Sequence, residues 1–88
     1  MNDKFLIRLM TVEKGKIYPT MIKAFYHKHI TELLKLYLTA KEYKIPIFIP
    51  IEVEGASKFD GKEVYVQDIH LHFGGEEAIT CLDIYVEV

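Results

Sequence analysis

The chain has 88 residues, of which 50% are hydrophobic, 12% aromatic and 27% charged, a globular rather than a disordered or fibrous composition. Eleven Lys plus Arg stand against 13 Asp plus Glu, a formal net charge of −2. That balance argues against a nucleic-acid binder, whose footprint is a basic patch, and no apolar run reaches the ~18 residues of a membrane-spanning helix.

Folding a chain of this length buries roughly 60–65% of its unfolded surface, enough for one core, so a single domain over 1–88 is expected. Arg8 interrupts the short apolar stretch Phe5–Met10 and no small-residue cleavage site follows, so no signal peptide is read. A single cysteine, Cys81, suits a reducing compartment, and a cytoplasmic location is expected. Ten lysines stand against one arginine, with one Asn and one Gln, a bias that fits a thermophile.

In chain order, Lys4–Val12 reads as a strand. Phe5, Ile7 and Leu9 alternate with Leu6, Arg8 and Met10, and apolar residues on both faces suit a central position. Glu13 to Lys16 is a turn. Pro19 then suits the first turn of a helix, and Thr20 to Lys44 holds no Pro or Gly. Ile22, Phe25, Tyr26, His29, Leu33, Leu36, Tyr37 and Ala40 recur at helical spacing, and Pro46 marks the stop. The helix would be ~36 Å long.

Ile45, Ile47, Ile49, Ile51 and Val53 alternate on one face of a second strand, which Pro46 and Pro50 push to a sheet edge. Asp60-Gly61 signals a turn. Val64–Phe73 is a third strand whose apolar phase shifts between Val66 and Ile69, which predicts a bulge near Gln67-Asp68. Gly74-Gly75 turns the chain into a last strand, Ile79–Val88, with Leu82, Ile84, Val86 and Val88 facing inward. The expected fold is α+β with the order β-α-β-β-β: one long helix on a four-stranded, mainly antiparallel sheet. The position of the first strand relative to the final meander stays open.

The strongest chemical constellation is Asp68-x-His70-x-His72. Alternate residues of a strand share a face, so the three side chains project together. With Glu52, Glu54, Cys81, Asp83, Tyr85 and Glu87 nearby, the imidazole pair could chelate a divalent transition metal such as Zn, Fe, Ni or Mn, or move protons near neutral pH. The bland reading is a wet sheet face. His27 and His29 are two apart on the expected helix and point in opposite directions, His29 into the apolar stripe and His27 to solvent. Cys81 has acidic neighbours, which disfavours a nucleophile. No G-x-S-x-G, H-E-x-x-H, C-x-x-C or phosphate-loop pattern is present.

A helix covering one small sheet needs an apolar stripe of about 100°, whereas this one spans about 220°. Ile30, Leu34 and Leu38 are the surplus, and a surplus apolar strip marks an interface. The expected function is a small non-enzymatic interaction protein that self-associates, first as a dimer, and binds another macromolecule, of the kind that viruses and mobile elements use as accessory or inhibitor proteins. The alternative is a metal- or ligand-dependent small enzyme or binding protein that uses Asp68, His70 and His72.

Overall fold

A computed structural model describes residues 3–48, 59, 61–75 and 78–88. It is an α+β structure with a five-stranded mixed sheet of order β2-β1-β5-β4-β3 and one helix. Strand β1 spans Lys4–Glu13 and β2 spans Lys16–Tyr26. Helix α1 spans Ile30–Glu42, β3 Ile47–Phe48, β4 Glu63–Phe73 and β5 Ile79–Glu87.

The main correction to the sequence reading is β2. The helix expected from Thr20 begins only at Ile30, after a single 3-10 turn over His27–His29. Two features make the preceding segment a strand. Lys14 and Gly15 both adopt positive φ, 51° and 77°, the two-residue hairpin geometry whose twist matches paired strands. The run that follows is rich in β-branched and aromatic residues, which fit a pleated surface. Pro19 is tolerated because β2 is an edge strand. The order is therefore β-β-α-β-β-β, with five strands rather than four.

The β1–β2 register slips by one residue: Leu9 faces Met21, but Met10 faces Pro19. Thr20 is the extra residue of this bulge. Its hydroxyl is buried, donates to the Leu9 carbonyl at 3.1 Å and lies 3.0 Å from the Thr11 hydroxyl. The two threonines satisfy each other where the ladder is interrupted.

The other strands follow the sequence reading more closely. Both β3–β4 and β4–β5 pair antiparallel, and β1 joins the meander at β5, in parallel. The predicted bulge is present, with the β4–β5 register shifting between Val66 and Asp68. The described part of β3 lies at the sheet edge. The strand proposed over 45–54 runs beyond the described residues after Phe48, so Glu52 and Glu54 lie outside them. Val88, expected to face inward, lies past the end of β5 and is half-exposed.

Directly opposed residues share a face. The inner face is built from Phe5, Ile7 and Leu9 of β1, Met21 of β2, Val64 and Val66 of β4, and Leu82, Ile84 and Val86 of β5, all buried. Helix α1 lies over this face and contributes Ala40 fully, with Ile30, Leu33, Leu34 and Tyr37 in partial contact. Phe59 is fully buried and stacks 5.4 Å from the Tyr18 ring. The helix closes with the Ile45 N–H donating to the Ala40 carbonyl at 3.0 Å and Lys44 at φ 54°, a Schellman end with lysine where glycine is usual. Among the described residues, no helix is long and apolar enough to cross a membrane.

Candidate functional site on the outer sheet face

No described element covers the second face of the sheet. Its side chains fall in rows that follow from the pairing registers. One row runs Ala24, Leu6, Cys81, His72, and the next Ile22, Arg8, Asp83, His70. The β1–β2 half is largely apolar and the β4–β5 half is polar.

Asp83 organises the polar half. It sits on β5, the middle strand, with its side chain only 4% exposed. Arg8 donates to it twice, from Nε to Oδ1 and from Nη2 to Oδ2, both at 2.6 Å. His72 Nε2 lies 2.8 Å from Oδ2, and the Cys81 thiol donates to Oδ1 at 3.4 Å. Burial by itself pushes the Asp83 carboxyl up, but the hydrogen bonds from Arg8, His72 and Cys81 and the charge of Arg8 outweigh it, so the group stays below the usual carboxylate range. The hydrogen bond to Asp83, opposed by burial and helped by the Asp83 charge, holds the Arg8 guanidinium above its ordinary value.

The sequence reading placed Asp68, His70 and His72 on one face, and they share it. They do not form one ligand set. His70 Nε2 pairs with Asp68 Oδ2 at 2.7 Å, while His72 turns to Asp83 on the neighbouring strand. Asp68 also accepts from the Ile69 backbone N–H at 2.9 Å and lies 4.0 Å from the Lys41 ammonium. The His70 hydrogen bond and that N–H hold the Asp68 carboxyl below its ordinary value. The His70 ring packs 5.0 Å from Tyr85. Among the described residues, no three side chains of His, Cys, Asp and Glu stand where they could hold one metal ion.

The residues that sequence reasoning missed are Arg8 and the central role of Asp83. The signal was present: one arginine interrupts an apolar strand, and one aspartate stands at an outward position of another. Pairing them required knowing that β1 and β5 are neighbours.

The helix-entry histidines also differ from expectation. His27 is partly buried, with its ring 5.5 Å from that of Phe5, and its backbone N–H donates to the Asp3 backbone carbonyl at 2.8 Å. His29 is exposed. The exchange follows from the later helix start, which leaves both residues in the 3-10 turn rather than on the stripe.

The cluster is chemically quiet. Asp83 spends its lone pairs on three partners. Burial first, then the hydrogen bond and charge of Asp83, push the Cys81 thiol up, which lowers its thiolate fraction. Cys81 is therefore expected to react with a disulfide reagent at pH 8 more slowly than free cysteine. A rate equal to that of the free amino acid in the folded protein would contradict this account.

The proposed interface residues Ile30, Leu34 and Leu38 line one open groove on the flank of α1, which Ile79 of β5 closes. Ile30 and Leu34 also touch the core, so they are not wholly surplus to it, whereas Leu38 is 47% exposed. Comparison with protein-family models, curated proteins and solved structures finds no match for this chain.

Proposed function

We propose that this is a small non-enzymatic interaction protein that self-associates and, in that form, binds a further protein. The observation that carries the reading is the apolar flank of α1. Leu38 stands exposed beside Ile30 and Leu34, and the nearby hairpin adds Leu71 at 38% and Phe73 at 61% exposure. Exposed apolar side chains lining a groove on a molecule this small favour burial against a partner. The polar outer face supports the same reading, since its one buried carboxylate, Asp83, is engaged with Arg8 and His72 of the two neighbouring strands.

Light scattering at micromolar concentrations is expected to give a mass above that of the monomer. Leu38→Asp, at an exposed position, should shift the equilibrium toward monomer at least tenfold while the far-UV circular dichroism stays unchanged. A wild-type monomer at hundreds of micromolar would overturn the reading.

A further inference from the structure

Strand β4 carries an unguarded edge. On one side it pairs with β5 along its length, but on the other β3 reaches only Glu63 and Val64. From Ile69 to Phe73 no described residue pairs with that outer edge, and every residue there except Ile69 is exposed. The opposite edge of the sheet, β2, is guarded as edges usually are, by Pro19, a bulge and the lysines Lys16 and Lys23. The β4 edge has its bulge only at the start, and the five residues from Ile69 contain no Pro, Lys, Arg, Asp or Glu.

The apolar flank of the helix runs beside this edge. Lys41 lies three residues after Leu38 and seven after Leu34, on the same side of α1, and its ammonium stands 4.0 Å from Asp68 of β4. The open backbone and the apolar flank are therefore two layers of one surface.

We propose that two copies of the chain pair antiparallel through these β4 edges, centred on Leu71, with the α1 flanks packing against each other across the two-fold axis. The proposal rests on the self-association reading and names its surface. An isologous interface needs a patch complementary to itself, and an uncharged strand edge paired antiparallel with its own copy meets that need. Centring on Leu71 sets Ile69 opposite Phe73 of the second copy and His70 opposite His72.

The size is adequate. The 13-residue helix extends about 20 Å and five strand residues about 17 Å, and the molecule is 20 Å thick. An edge of those dimensions buries on the order of 800–1,000 Å² in total, the size of a weak, reversible association.

The test uses the full chain. Leu71→Lys and Phe73→Lys add a charge at exposed edge positions and should raise the dimer dissociation constant at least tenfold in light scattering, with the fold intact by circular dichroism. Amide exchange from Ile69 to Phe73 should slow as wild-type concentration rises through the dissociation constant. In a Cys81→Ser background, Leu71→Cys should give a covalent dimer on oxidation, because residues facing each other across antiparallel strands stand within disulfide reach. If Leu38→Asp dissociates the dimer while both lysine variants leave it intact and no crosslink forms, edge pairing is overturned and self-association through the flank survives. A wild-type monomer overturns both.

Discussion

Replacing Asp83 with alanine is expected to destabilise the protein by about 1.5–3 kcal/mol, measured by urea denaturation at fixed protein concentration. The change removes the acceptor for Arg8, His72 and Cys81 together. Removing one partner of a fully buried ion pair costs more, about 3–5 kcal/mol. Here the Arg8 side chain is 40% exposed and His72 49%, so water recovers part of what they lose. The pH dependence gives an independent check. The folded carboxyl lies below its ordinary value, so its contribution is complete above about pH 4 and disappears as pH falls through the lower folded value. The stability gap between wild type and Asp83→Ala should therefore be flat near neutrality and close below about pH 4. A gap that persists into strong acid would remove the carboxylate from the explanation.

Ile84→Ala is expected to cost more still, about 3–4 kcal/mol, out of the roughly 5–15 kcal/mol that holds such a domain together. Ile84 is fully buried on the middle strand, facing Leu9 on one side and Ile69 on the other. Both neighbouring strands are fixed by their ladders, so the space left behind cannot readily collapse. The matched control is Leu71→Ala, on the same face but 38% exposed, where a loss under about 1 kcal/mol is expected because much of that side chain already meets water. Similar losses at the two positions would mean that the β5 core is less tightly packed than its burial indicates. If Leu71 also lies on a dimer axis, the control falls further at high protein concentration, since association stabilises the folded state by mass action.

The two halves of the outer face behave differently under these arguments. The polar half is a stability feature: Arg8–Asp83 ties β1 to β5 in parallel register, and His72–Asp83 ties β5 to β4. A one-residue slip of either strand would move Arg8 or Asp83 to the apolar face, so the pair specifies register as well as strength. The function proposed for the protein lies at the β4 edge and the helix flank, where backbone groups and apolar side chains stand without partners among the described residues.

Local pattern made much of this fold legible. The period of two in β4 and β5 assigned Val64, Val66, Leu82, Ile84 and Val86 to the inner face, and the phase shift at Gln67-Asp68 located a bulge, because each depends only on neighbouring residues in the chain. The prolines placed β3 at an edge for the same reason. The segment from Thr20 to Tyr26 was misread because its apolar spacing satisfies a helix and a strand alike. What chose between them was the β1 edge, which a hairpin through Lys14 and Gly15 could cover, and that is a tertiary gain.

The sequence by itself determined the composition of one α+β core, the alternation of its last strands and the shared face of Asp68, His70 and His72, since these follow from chain-local geometry. Only the tertiary structure decided which strands are neighbours. That choice joined Arg8 to Asp83 across 75 positions, split the two histidines between different carboxylates and left one edge of β4 from Ile69 to Phe73 unpaired among the described residues. Contacts at such separation arise from the joint burial of several elements, and no window along the chain contains them.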